Sequence, residues 1–168
     1  MIIINLVVTT FLILIETVCL PILIALPMRP DITLLFLVSV SMSQGKEGVS
    51  FTLSNTKACA FIYFLAGLLF DLFSNNPLGV HSLAYLAAGV VVFILSVLPV
   101  RWRYLIIPLT FLLSAAVYNS VLILLLSFRG VNFYFPKTSF ILAVASVDFI
   151  VGTVFYPLLA WILRKTRF

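Results

Sequence analysis

Long apolar runs separated by short polar stretches are the dominant pattern of this chain. Runs of this kind, with few or no charged residues, are typical of helices that cross a bilayer. Six such segments are present: Ile2–Leu26, Ile32–Met42, Ala58–Phe73, Leu78–Val100, Tyr104–Phe128 and Lys137–Leu163. The pattern predicts an all-α integral membrane protein, a six-helix transmembrane bundle with a short second helix.

Polar residues and prolines mark the expected helix ends. Asp31 is the expected N-cap of the second helix, because its carboxylate can accept a hydrogen bond from an unpaired amide of the first turn. Asn76 is the expected N-cap of the fourth helix, with Pro77 at its first position, where the missing N–H is not needed. Pro21 and Pro157 lie inside the first and sixth segments and are expected to kink them.

The composition identifies the bilayer as the solvent of this bundle. The chain is 64% hydrophobic and 9% charged, with a mean hydropathy of +1.29, whereas a soluble domain carries about 25% charged residues. The first run is long and no basic region precedes it, so we expect a retained helix rather than a signal peptide. Residues 1–168 are therefore expected to form a single transmembrane domain.

Charge in the loops predicts the topology, although the second segment leaves the number of crossings open. Its eleven residues span roughly 17 Å against a hydrocarbon core of about 30 Å. It either extends through residues 43–45 or forms a re-entrant half-helix. Six crossings place seven Lys and Arg on one side and three on the other, and five crossings move Arg29 to the first group. Both versions put loops 44–57 and 101–103 and the C-terminus in the cytoplasm.

We favour six crossings, which also place the N-terminus in the cytoplasm. The net charge of +5 is then explained by the positive bias of cytoplasmic loops rather than by binding to nucleic acid. Membrane lipids are the expected surroundings of the outer helix faces.

Two acidic residues lie far from the ends of predicted helices, where ionisable groups are costly and indicate function by default. Glu16 lies on a polar stripe with Asn5 and Thr9. It either contacts a partner helix or a cavity, or it is hydrogen-bonded within the bundle. Asp148 shares a helix face with Ala145 and Gly152, so we expect a buried Asp148, with its hydrogen bonds satisfied, that fixes a close helix crossing. A proton relay between Glu16 and Asp148 is a further hypothesis.

Another carboxylate lies beside the turn between the third and fourth segments. Asp71 lies just before the turn, and we expect it to accept hydrogen bonds from exposed amides around Pro77 and Gly79, where the helix dipole favours an anion. Substrate binding by Asp71 is the alternative. Gly79 is expected to let the two helices approach each other.

Three further polar residues are candidates for helix packing. His81 shares a helix face with Tyr85 and is expected to form a hydrogen bond, because a lone histidine makes a zinc site improbable. Asn119 is expected to form an interhelical hydrogen bond. The sequence contains no nucleophile motif, metalloprotease motif or phosphate-binding loop, so neither enzymatic activity nor a cofactor is expected.

A succession of short motifs resembles the rod shape-determining protein MreD family. The matching residues are Arg29-Pro30-Asp31, then Gly67-Leu68-Leu69-Phe70-Asp71, then Pro77-Leu78-Gly79, with Leu83 and Tyr85 beyond. The resemblance spans most of the chain, but these motifs are its specific part. It implies a fold similar to that of the substrate-binding subunits of energy-coupling-factor vitamin transporters.

The same resemblance implies a non-enzymatic scaffold of the bacterial cytoplasmic membrane, within the cell-elongation complex that builds lateral peptidoglycan and maintains rod shape. Its implied direct partner is MreC, a single-span protein with a large extracytoplasmic domain. Through MreC it is expected to connect the MreB filament with a SEDS glycosyltransferase and a penicillin-binding transpeptidase. The sequence leaves open whether the chain forms a homodimer.

A binding subunit of a vitamin transporter is the alternative function. Such a subunit needs an external pocket with convergent polar groups, which Asp71, His81, Tyr85 and Asn119 would supply. The first helix lacks the A-x-x-x-A surface expected for contact with an energising partner, so the sequence favours the scaffold.

Overall fold

The computed structural model describes residues 2–19, 31–44, 53–73, 77–97, 103–128, 130 and 137–165. These residues form six α-helices and no strand, which confirms the all-α prediction. The helices are α1 (Ile2–Leu14), α2 (Ile32–Gln44), α3 (Leu53–Phe73), α4 (Val80–Val97), α5 (Arg103–Phe128) and α6 (Lys137–Lys165).

The first helix is less regular than the sequence predicts. α1 passes into a π-helical segment, Ile15–Cys19, which contains Glu16. Such segments frequently occur at functional sites. The predicted kink at Pro21 lies outside the described residues. α6 remains helical through Pro157.

The start of α2 follows the prediction. The Asp31 side-chain Oδ1 accepts a hydrogen bond from the Leu34 amide at 2.6 Å, and the Asp31 carbonyl accepts one from the Leu35 amide at 3.0 Å. Asp31 is therefore the N-cap of this helix, as its position in the sequence predicts.

The predicted start of α4 is wrong. Pro77 is not the first helical residue, because its carbonyl accepts the Val80 amide at 3.4 Å in a turn that precedes the helix. Gly79 has φ of 97°, which is incompatible with a right-handed helix, so α4 begins at Val80. The predicted cap Asn76 lies outside the described residues.

The short helix α2 is the centre of the bundle. It packs against all five other helices, and every side chain from Thr33 to Ser41 is buried. At thirteen residues it is roughly 20 Å long. Because protein surrounds it on all sides, its backbone ends can find protein partners instead of lipid.

The other helices are arranged around α2. The pairs α3–α4, α4–α5 and α5–α6 pack most extensively, and α1 packs against α2 and α3. The core of the bundle combines small and aromatic side chains, among them Ala84, Ala88, Tyr63, Tyr85 and Phe111.

Two helices of the described part are long and apolar enough to cross a membrane, namely Leu105–Phe128 in α5 and Ile141–Leu158 in α6. Four other apolar helices there are shorter than a typical span. The two long helices suggest a membrane protein.

Large apolar side chains cover much of the exterior of the bundle, and the described acidic side chains point into its interior. Large apolar side chains lie on the exterior, including Phe11, Leu72, Phe128, Leu142 and Val154, each at least 60% exposed. The four acidic side chains described by the structure point inward: Asp31, Asp71 and Asp148 are buried and Glu16 is half-buried.

Candidate functional site

The polar centre of the bundle is built around Asp31. Besides capping α2, its two carboxylate oxygens accept the Tyr85 hydroxyl at 2.8 and 2.9 Å. Tyr85 lies on α4 and is completely buried. The carboxylate therefore ties the beginning of α2 to the middle of α4, and a tyrosine hydroxyl in such a position needs this partner.

Asp148 of α6 reaches the same end of α2. Its Oδ1 accepts the backbone amide of Asp31 at 3.0 Å, although 117 residues separate the two in the chain. Its side chain is 0% exposed. The prediction that Asp148 is buried and binds a neighbouring helix is confirmed. The expectation that its hydrogen-bonding groups are satisfied is wrong, because Oδ2 has no partner among the described residues.

The close approach predicted beside Asp148 is also present. A Cβ on Gly152, one turn further along α6, would lie 2.6 Å from Cδ1 of Phe111 and 3.0 Å from Cδ2 of Leu35. Gly152 thus lets α6 approach both α5 and α2 at the level of the polar centre.

Glu16 approaches the beginning of α2 from α1. Its Oε2 accepts the Thr33 amide at 3.1 Å and the Thr33 hydroxyl at 2.8 Å. Of the two interpretations of Glu16, the hydrogen bond within the bundle is confirmed. The interpretation as a contact for a partner helix is not needed, because Thr33 belongs to the protein's own central helix.

A histidine–tyrosine pair extends the polar centre towards the beginning of α4. His81 Nδ1 and the Tyr118 hydroxyl are 2.8 Å apart, which confirms that His81 forms a hydrogen bond. The Tyr118 ring meets Tyr85 edge-on at 4.9 Å between centroids, and Phe70 packs on His81 at 4.5 Å. The network therefore includes side chains from α1, α2, α4, α5 and α6.

Asp71 forms a separate cap at the start of α4. It accepts the amides of Gly79 at 2.7 Å, His81 at 2.9 Å and Ser82 at 3.3 Å, and the Ser82 hydroxyl at 3.1 Å. The predicted role of Asp71 at this helix start is confirmed. These bonds engage both carboxylate oxygens of Asp71 in capping α4.

The predicted role of Gly79 is wrong. A Cβ on Gly79 would meet no atom within 4 Å, and the residue is required for its φ of 97° instead. The close approach of α3 and α4 occurs at Gly67, where a Cβ would lie 2.6 Å from the His81 carbonyl oxygen. The sequence contains a signal for this contact, because Gly67 lies one turn before Asp71 and a glycine lets two helices approach closely.

The predicted interhelical bond of Asn119 is also wrong. Its Nδ2 donates to the carbonyl of Ala115 at 2.8 Å, four residues earlier in the same helix α5. The amide side chain is short enough to return to its own backbone, which competes with any bond to a neighbouring helix.

Sequence reasoning missed the site roles of Asp31, Thr33 and Tyr118. Asp31 was expected as a helix cap and as part of a family motif, and neither Thr33 nor Tyr118 was singled out. The available signal was chemical: a buried carboxylate needs hydroxyl or amide donors, and tyrosine, threonine and backbone amides at helix starts are the donors that an apolar bundle offers.

Chemically, the site is a hydrogen-bonded carboxyl cluster, formed by Glu16, Asp31 and Asp148. It is suited to fixing helices and to holding protons. Within the described residues, no group of three or more His, Cys, Asp or Glu side chains is arranged to hold a metal ion. A comparison with protein-family models, curated proteins and solved structures found no match to this chain.

Proposed function

We propose that this chain is a multi-pass protein of the bacterial cytoplasmic membrane, with six crossings, that acts as a non-enzymatic scaffold of the cell-elongation complex. In this role it binds a single-span protein of the MreC type and helps to maintain rod shape during lateral peptidoglycan synthesis. The proposal combines the motif resemblance with the geometry of the bundle.

The observation that carries the proposal is that the separate motifs of the resemblance interlock in space. Asp31 of the first motif accepts the Tyr85 hydroxyl of the last. Asp71 of the second accepts the Gly79 amide of the third, and Gly67 allows the contact with His81. Residues that fold into one unit have a physical reason to occur together, so their succession is more than a coincidence of composition.

The distribution of polar groups supports a membrane location. The exposed hydroxyls of Ser120, Ser146 and Thr153 each donate to a carbonyl of their own helix. In lipid this is the only partner available to an outward-facing hydroxyl. Exposed apolar patches of this extent mark membrane or protein contacts.

Lateral binding is the mode of action that this surface suits. The outward faces of α1 and α6 carry Val7 and Phe11 on one helix and Ile150 and Val154 on the other, all more than 50% exposed. A partner's transmembrane helix can pack against such faces through van der Waals contact. The polar residues, by contrast, bond to one another inside the bundle.

The geometry favours the scaffold over the vitamin-transporter alternative. That alternative assigns Asp71, His81, Tyr85 and Asn119 to an external pocket. In the bundle all four are buried, and each forms a hydrogen bond with another group of the protein. Their polar atoms are therefore engaged in folding rather than directed towards a ligand.

Depletion of the protein in its bacterial source tests the proposal. We expect depleted rods to become spheres and to lose axial insertion of new wall material, and an intact copy supplied in trans to restore both. Depleted cells that keep their rod shape and their axial wall insertion would contradict the proposed function.

A further inference from the structure

One oxygen of the carboxyl cluster has no hydrogen-bond partner. Oδ2 of Asp148 is buried and makes no hydrogen bond with any described residue, whereas Oδ1 accepts the Asp31 amide at 3.0 Å. The side chain is 0% exposed and lies in the middle of the apolar stretch Ile141–Leu158. A buried carboxyl oxygen without a hydrogen-bond donor needs an explanation, such as a bound ion or proton.

The groups that face Asp148 from the neighbouring helices are acids and tyrosines. Glu16 approaches from α1 and Asp31 from the start of α2, and Tyr118 of α5 and Tyr85 of α4 lie beside them. None of these groups is a cation.

The sequence offers few cations at this depth of the bundle. α1, α2 and α4 contain no Lys or Arg, and those of α3, α5 and α6 lie close to the helix ends. Arg29 lies outside the described residues and is a candidate counter-ion because it is two residues before Asp31 in the chain.

The charges around Asp148 determine which ligand its carboxyl group can bind. An ionised carboxylate buried in an apolar medium, with no paired cation and an oxygen that has no donor, is so costly that the group takes up a proton instead. Both oxygens of Asp31 have donors, so Asp31 is the better place for a negative charge, and it opposes a second charge on Asp148. The described acids are not arranged for a metal ion. A proton needs no coordination sphere, and a carboxyl oxygen without a donor is free to carry it.

We propose that Asp148 is a proton-binding residue, with its carboxyl held as the neutral acid in the folded bundle, Oδ1 accepting the Asp31 amide and Oδ2 carrying the proton. Loss of this proton places a second charge against Asp31 and weakens the attachment of α2 to α6. Proton binding is a property of the bundle itself, so it stands independently of any partner protein.

Infrared spectroscopy of the full-length protein in detergent tests the proposal directly. A carboxylic acid has a C=O stretching band that a carboxylate lacks. We expect this band at neutral pH, and we expect it to shift when the protein is made with aspartate whose side-chain carboxyl carries a heavy carbon isotope. This labelling uses the unmutated chain, so it does not depend on any variant folding correctly.

Variants assign the band to one residue. We expect Asp148→Asn, which keeps the shape and the Oδ1 acceptor, to lose the isotope-sensitive band, and Ser146→Ala on the same helix to retain it. Absence of the band from the unmutated protein overturns the proposal, as does a band that persists in Asp148→Asn but disappears in Asp31→Asn. A band that is absent from the unmutated protein and appears in Arg29→Gln also overturns the proposal. Arg29 would then be the counter-ion that keeps the carboxyl group ionised.

Thermal unfolding gives a second readout. A folded state that holds a proton released on unfolding becomes less stable as the pH rises. We therefore expect the melting temperature to fall from mildly acidic to alkaline pH, and Asp148→Asn to flatten this slope while Ser146→Ala leaves it unchanged. An equal slope in Asp148→Asn and the unmutated protein contradicts the assignment to Asp148.

Discussion

At the residue scale, individual carboxylates hold the ends of helices in this bundle, and Asp71 holds the start of α4. Replacing it by alanine leaves the amides of Gly79, His81 and Ser82 without their acceptor. We expect Asp71→Ala to lower the free energy of unfolding by about 1–3 kcal/mol, the usual cost of unpaired buried groups. Denaturant unfolding of the protein in detergent measures this change.

The control for that measurement is Ser120→Ala. Ser120 is exposed and its hydroxyl bonds only to the Ala116 carbonyl of its own helix, so we expect an effect within about 0.5 kcal/mol. If Asp71→Ala unfolds like this control, the cap does not stabilise α4.

Residue-scale reasoning from the sequence succeeded where the partner is close in the chain. Asp31 caps a helix that starts at the next residue, and Asp71 binds amides eight to eleven residues away. It failed at Gly79, because a single glycine serves either close packing or a positive φ, and the sequence alone does not distinguish these uses.

At the scale of elements, the pairing of α3 with α4 depends on small residues. A Cβ on Gly67 would meet backbone of α4, whereas one on Gly89 would meet the Tyr63 ring, at 2.9 Å. Backbone cannot move without separating the helices, so we expect Gly67→Ala to destabilise by about 1–3 kcal/mol and Gly89→Ala by less. Unfolding of both variants in parallel makes the comparison; a larger loss in Gly89→Ala refutes this account.

The attachment of α2 to α4 is an energetic coupling that a double-mutant cycle isolates. Asp31→Ala and Tyr85→Phe each remove one side of the same hydrogen bond, so their effects on unfolding free energy are expected to be non-additive by about 0.5–3 kcal/mol. Asp31→Ala combined with Ser120→Ala serves as the additive control. Additivity within error for the first pair would show that this bond does not hold α2.

Elements were predicted from the sequence more successfully than their contacts. Each of the six described helices overlaps one of the predicted apolar runs, since the pattern that makes a helix is local. The central place of α2 was not predicted, because an apolar run short of a full span looks like an incomplete crossing. The bond of Asp148 to Asp31 connects residues 117 positions apart. The sequence around either residue does not indicate that the other is its partner.

At the scale of the whole molecule, the topology is the first property to establish. Six crossings place both termini in the cytoplasm, whereas a re-entrant α2 places the N-terminus outside. We expect an N-terminal tag to resist a protease added to intact spheroplasts and to be cleaved once the membrane is permeabilised. A C-terminal tag, cytoplasmic in both topologies, is the matched control. Cleavage of the N-terminal tag in intact spheroplasts would establish five crossings.

The central claim is that this bundle acts by binding another membrane-spanning protein, and native co-purification tests it most directly. The tagged protein is extracted from membranes of its source organism in mild detergent, and its stoichiometric companions are identified by mass spectrometry. The account predicts a single-span protein with a large extracytoplasmic domain. A chain that emerges alone, carrying a small molecule in equal amount, would contradict it.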